Sequence, residues 1–273
     1  MPTHSSNDTV TSGLNIYLQS KDGKNSNNNS NCDFFLDTII APERADLAMM
    51  ISVIDAEIPY SFYNVTNENN KITIEDVLLT LPIKNYNAYD LTDTLNDLIA
   101  SDITGKLDDI IVSFDPDTNK FKFQSSNSFT INSSTMMKEL GFTSLSRSGF
   151  IIHSDIVCNL AGTSSIYIRS SNMNILNINS FGKNNGVISK VLVTSSPGNF
   201  IFYQPNAPQY FVLNAPLTYI NIQMLDDDNE FIDFNGLNWS VTLSIEFFRK
   251  RDDTMDYEYF LDGIPKPYEK LKE

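Results

Sequence analysis

From Trp239 to Phe247 the side chains alternate without a break. Trp239, Val241, Leu243, Ile245 and Phe247 are apolar, and the residues between them, Ser240, Thr242, Ser244 and Glu246, are polar. A period of two sustained over this length marks a β-strand with one face on a core and the other toward water. A helix would scatter the same residues around its circumference. One strand cannot stand alone in water, so the rest of the chain must supply its partners. The same alternation recurs where Leu14, Ile16 and Leu18 are spaced by Asn15, Tyr17 and Gln19, and where Ile220, Ile222 and Met224 are spaced by Asn221 and Gln223. Shorter runs at 32–40, 156–160, 166–170, 187–194, 199–203 and 209–213 read as further strands. Pro42, Pro197, Pro205, Pro208 and Pro216 punctuate them, each lacking the N–H that a ladder needs.

Residues 47–58 break the pattern. Met49, Ile51 and Val53 fall on one side, while Met50, Ile54 and Ile58 fall on the other, which predicts a strand covered on both faces. Pro59 ends it, and Tyr60-Ser61-Phe62-Tyr63 begins a new extended segment. Residues 72–81 read as one strand stopped by Pro82. The tract 21–31, rich in Asn, reads as a long exposed loop.

Helical signals are few. Leu91, Leu95, Leu98 and Ile99 share one face of a helix over 89–100, with Asn87 to cap it and Asp90 near its positive end. A short helix at 135–140 is expected to be capped by Ser134 and ended by Gly141. Between them, strands at 110–114 and 120–124 flank the turn Asp115-Pro116-Asp117-Thr118-Asn119. Many short strands joined by short connections predict an all-β, antiparallel β-sandwich or jelly roll. No internal repeat is visible, and no linker within 13–248 separates two independent cores. The expected organisation is a flexible N-terminal arm at 1–12 and one β-domain at 13–248. The domain carries a helix-containing insertion at about 82–147, and a C-terminal tail at 249–273 follows.

The formal net charge of −15 argues against broad nucleic-acid binding, because phosphate backbones attract basic surfaces. The clusters Arg249-Lys250-Arg251 and Lys266, Lys270, Lys272 read as solvated charges near the tail. No apolar run in residues 1–12 marks a signal peptide. The apolar stretch 47–54 is too short to cross a membrane as a helix, so no membrane insertion is expected. Cys32 and Cys158 read as free thiols.

The residues that carry chemistry are sparse. His4 and His153 are the only histidines, too few for the imidazole-rich metal site of a cupin-type enzyme. His153 reads as a turn or surface residue. Ile156, Cys158 and Leu160 share one face of the expected strand, which makes Cys158 a small core residue and not a nucleophile. The turn at 115–119 begins like a calcium loop, but Lys120 stands where Gly is required and Ser126 where Glu is required. The acidic run Asp226, Asp227, Asp228 and Glu230 reads as a solvated hairpin tip. No catalytic, cofactor-binding or metal-binding residue is assigned, no cofactor is implied, and the chain reads as a non-enzyme. Tyr60, Phe62 and Tyr63 would suit glycan stacking in a carbohydrate- or receptor-binding sandwich. Packing in a core or interface is the favoured reading for them.

Five segments carry a family resemblance. The run from Ile51 through Pro59-Tyr60-Ser61-Phe62-Tyr63-Asn64-Val65 resembles the strand–Pro–turn segment of virophage and Polinton-type penton proteins. Asn85-Tyr86-Asn87 leading into Leu91 and Leu95 resembles their short inserted helix, and Leu140-Gly141-Phe142 is similar to a tripeptide closing the next one. Asn159-Leu160-Ala161-Gly162 with Ile166-Tyr167-Ile168-Arg169-Ser170 is similar to a later strand pair. Ile232-Asp233-Phe234-Asn235-Gly236-Leu237-Asn238-Trp239 resembles their closing hairpin. The likeness runs in order over 13–248. It implies a single jelly roll that forms homopentamers at icosahedral five-fold vertices of a virion, beside double-jelly-roll major capsid proteins. The protein would be made in the host cytoplasm. A non-vertex minor capsid protein is the neighbouring alternative. The family brings no catalytic residues. The apolar strand at 47–58 is then expected to offer surface for subunit contacts.

Overall fold

The computed structural model describes residues 10–249 apart from 28, 145, 174, 176–185 and 214. The expected arm at 1–12 lies largely outside this range, as does the tail beyond 249. In chain order the first strands are β1 (Val10–Gln19), β2 (Lys24–Ser26), β3 (Asn31–Ile40), β4 (Leu47–Pro59), β5 (Lys71–Ile74) and β6 (Val77–Thr80). Helix α1 (Ala88–Ala100) precedes β7 (Ile111–Asp115) and β8 (Lys120–Asn132), and helix α2 (Met137–Leu140) precedes β9 (Arg147–His153). The chain then forms β10 (Ser165–Arg169), β11 (Val187–Leu192), β12 (Phe200–Tyr203), β13 (Phe211–Leu213), β14 (Leu217–Leu225) and β15 (Ser240–Arg249).

Every strand pair is antiparallel, as the short connections predict. The first sheet runs β1-β15-β4-β12, with β13 also on β4, and the second runs β11-β10-β14-β3-β2. Taking β1, β3, β4, β10, β11, β12, β14 and β15 as strands one to eight, the two sheets read 1-8-3-6 and 5-4-7-2. That order is the jelly roll. The inner faces meet in one core, where Ile51, Ile58, Ile168, Ile220, Ile222 and Leu243 are fully buried. Burying each such side chain contributes roughly 1.5–3 kcal/mol.

The strand β4 explains why its sequence looks apolar on both faces. Leu243 pairs with Val53 and Thr242 with Asp55, so Ile54 has no partner and forms a β-bulge. The bulge shifts the phase by one residue. Met49, Ile51 and Val53 face the core before it, and Ala56 and Ile58 face the core after it. Ile58 therefore belongs to the inner face and not to the outer one; the outer face before the bulge is covered too, with Ala48 and Ser52 buried, as a strand covered on both faces requires.

A second core exists, contrary to the expectation of one. The third sheet, β6-β5-β8-β7 with β9 on β8, is covered by α1 and α2, and its cluster draws on residues from Val65 to Leu160. Helix α1 buries Leu91, Leu95 and Ile99, and the Asn87 side chain accepts hydrogen bonds from the Tyr89 and Asp90 amides, as the spacing predicts. Asn96 on α1 also exchanges two 2.9 Å hydrogen bonds with the Val112 backbone on β7.

Other expectations are corrected. Residues 72–81 form a hairpin, turned at Glu75 and Asp76 with φ of 49° and 63°. The tract 21–31 contains β2, which pairs with β3. Ser134 does not cap α2 with its side chain; its hydroxyl donates to Asn132 and accepts from the Thr73 amide. Gly141 does end α2 in the left-handed region at φ 84°. The strand expected at 156–160 is irregular chain; β10 pairs with β11 and β14, and β9 is a further strand on β8 that the sequence pattern does not mark.

Candidate functional site

Where the chain leaves the sandwich after β4 and returns before β10, one asparagine joins the strands of chain. The Asn64 side chain donates to the carbonyls of Tyr86 at 2.8 Å and Leu160 at 2.7 Å, and accepts from the Tyr86 amide at 2.9 Å. Its own amide donates to the Asn85 side chain. Gly162, at φ 66°, lies so close that a Cβ there would stand 3.0 Å from the Asn64 Cβ. On the sandwich side, the Ser61 hydroxyl donates to the Phe234 carbonyl, Asn235 donates to the Ser61 carbonyl, and Phe62 meets Phe234 edge-on. This neck gathers residues from widely separated parts of the sequence into one junction.

Beside the neck lies an open cleft of about 450 Å³ between the sandwich and the insertion. Its rim carries the acidic turn after β14. Asp226 accepts from the Asp228 and Glu230 amides, and Asp227 accepts from the amides and hydroxyl at Ser164 and Ser165. Asp228 reaches Lys138 across the cleft at 3.5 Å. Burial holds the Asp226 carboxyl above the usual carboxylate range, and the charges of Asp228 and Asp227 add to the rise. These carboxylates are occupied in fixing a turn. Among the described residues, no group of three or more His, Cys, Asp and Glu side chains could hold a metal ion.

The other acidic turn behaves alike. The Asp115 side chain accepts from the Thr118 hydroxyl and the Asp117 amide, which hold its carboxyl below the usual range. His153 ends β9 on the surface opposite Lys122. Cys158 is half-buried against the second core, although no strand face places it there; its amide donates to the Asn119 carbonyl. Cys32 is buried in the first core, and the two cysteines are free thiols. Burial, with the Asp33 charge, pushes the Cys32 thiol up to about 12.

The stacking candidates are mostly hidden. Tyr60 and Phe62 are buried and stacked on each other with centroids 4.5 Å apart, and only Tyr63 is exposed. Among the described residues, no helix is long and apolar enough to cross a membrane. The sequence reading missed Asn64 because one asparagine among many carries no periodic signal. The outer face of β4 offers less surface than expected, since Ser52 is buried and Tyr210 crosses nearby to donate to Glu246 at 2.8 Å.

No family model matches this sequence, and no curated protein matches it. Among solved structures, the crystal structure of a selenomethionine-labelled mavirus penton protein is similar, with a TM-score of 0.48 and 14% identity over 87% of this chain and 100% of that one.

Proposed function

We propose that this chain is a structural capsid protein, a penton whose jelly rolls form homopentamers at the five-fold vertices of an icosahedral virion. One observation carries the reading. Four of the five segments on which the family resemblance rests contribute to the neck; the fifth, Leu140-Gly141-Phe142, packs within the insertion, where Phe142 meets Phe123. Ser61 to Asn64, Asn85 and Tyr86, Leu160 to Gly162, and Phe234 with Asn235 meet there through side-chain bonds and ring contacts. Resemblance scattered along a sequence carries more weight when it converges on one junction that no local pattern demands. In this reading the chain is not an enzyme and needs no cofactor. Its partners are copies of itself and double-jelly-roll major capsid proteins, without nucleic acid or membrane. A ring of identical subunits requires two different lateral patches on each. Native mass spectrometry over a range of concentrations, together with averaging of vertex density in intact particles, tests the proposal. A closed ring of five is expected. A stable dimer, or a vertex pentamer formed by another chain, overturns it.

A further inference from the structure

The two outer faces of the sandwich differ in chemistry. On the first sheet, Tyr17 of β1 and Phe202 of β12 project into solvent, 75% and 72% exposed, with Phe200 beside Phe202. Their outward direction follows from the register: Phe202 opposes Glu57, while its neighbour Tyr203 opposes the core residue Ala56. The charges on this face are Asp55, Glu57 and Glu246, and the strand cation nearest to it, Arg249, sits at the end of β15 beside Asp46.

The second sheet presents the opposite character at its β10–β11 side. Arg169 and Lys190 stand there, and β10, β11 and β14 contain no acidic residue. The Lys190 ammonium lies 5.4 Å from the Tyr167 ring. Further along the sheet, six residues down β14 from the Leu225 that opposes Tyr167, Tyr219 stacks on Phe35 with centroids 6.0 Å apart, and Phe35 is 71% exposed. The acids of this sheet, Asp33 and Asp37, lie on β3, and Asp33 accepts from the Asn221 amide.

We propose that the outer face of the first sheet of one copy docks on the outer face of the second sheet of the next copy. Asp55 and Glu57 then face Arg169 and Lys190, and Phe202, which opposes Glu57, meets Tyr167, which opposes Lys190. This deepens the ring reading above and rests on it. A second copy is the occupant because both halves of the complementary pair stand on one chain. With a net charge of −15, most of the surface repels another copy, so a cationic strip beside apolar rings selects how copies approach. Two unlike faces also make a heterologous contact, which is the kind that closes into rings.

The test is the oligomeric state of the full chain by sedimentation velocity and native mass spectrometry. Glu57→Lys and Lys190→Glu are each expected to weaken association at least about tenfold, and the two together in one chain to restore it. Phe202→Ser is expected to give monomers. All are surface changes, so circular dichroism and melting temperature should match the wild type. An oligomer indifferent to all three variants overturns the face pairing while leaving the ring itself standing. A wild type that stays monomeric up to millimolar concentration also overturns the pairing, and the ring reading then rests on vertex density alone. Disulfide-linked homodimers of Phe202→Cys, in place of mixed pairs with Tyr167→Cys chains, would show a two-fold contact and overturn both.

Discussion

Asn64 donates its side-chain amide to the carbonyl of Leu160 at 2.7 Å, bridging residues 96 apart in sequence. The bond closes the neck through which the insertion joins the sandwich. Asn64→Ala removes three side-chain hydrogen bonds and leaves carbonyls at the junction unpartnered, which is expected to cost about 2–4 kcal/mol. Gly162→Ala strains a left-handed residue and presses on Asn64, at about 1–3 kcal/mol. Urea unfolding of both variants checks this; midpoints equal to the wild type would show that the neck contributes little.

The neighbours Leu243 and Thr242 on β15 point to opposite faces, yet both are buried. Leu243 lies in the core, and Thr242, only 6% exposed, donates its hydroxyl to Asp55 at 2.9 Å between β1 and β4. Leu243→Asp is expected to abolish folding, since it buries an unpaired charge. Thr242→Asp is expected to destabilise as well, because it sets a carboxylate against Asp55. The repulsion exists only when both are ionised, so this variant should recover stability as pH falls from 7 toward 4. Thr242→Val should show no such recovery. Thermal melts across that range distinguish the two.

Asp226 gives a pH dependence of its own. Its folded-state pKa is raised, chiefly by burial, so the folded protein holds the proton to higher pH than the unfolded chain does. Stability therefore falls as pH rises from the ordinary carboxylate value through the raised one. Asp226→Asn keeps an oxygen to accept from the Asp228 and Glu230 amides and removes the buried charge. It is expected to be at least as stable as the wild type at pH 7 and to lose that advantage by about pH 3. A variant much less stable at pH 7 would show that the charge itself holds the turn.

Cys32 should be inert in the folded protein. Its thiol is buried and pushed up to about 12, so almost no thiolate forms at pH 8. An aromatic disulfide reagent is expected to leave Cys32 unmodified in the native protein and to modify both cysteines in denaturant. Mass mapping identifies the site, and rapid native labelling of Cys32 would contradict the burial.

Much of the sandwich is readable in the sequence because its strands obey one period. The alternation at Trp239–Ile245 and at Ile220–Met224 maps directly onto the core. Helix α1 is legible for the same reason, since its apolar face repeats at helical spacing over several turns. The bulge at Ile54 is not legible, because a phase shift needs the partner strand to reveal it. The chain at 156–160 alternates like a strand, but its amides are taken by the carbonyls of Gly141, Asn119 and Glu139. Strand β9 escapes notice because Phe150 and Ile151 are exposed, so its apolar residues do not alternate. The Trp239 indole is a milder case. Its place in the core follows from the pattern, whereas its 2.7 Å bond to the Asn29 carbonyl comes from a tract that looks too polar to fold against anything.

The neck has a practical side for anyone wishing to re-engineer this molecule. The insertion departs and returns at one point, and it encloses its own hydrophobic cluster. Cutting at Asn64 and Gly162 would leave two chain ends side by side, ready to be bridged by a short turn or to receive a foreign domain. The first core draws on residues outside the insertion, which makes this junction a natural grafting point.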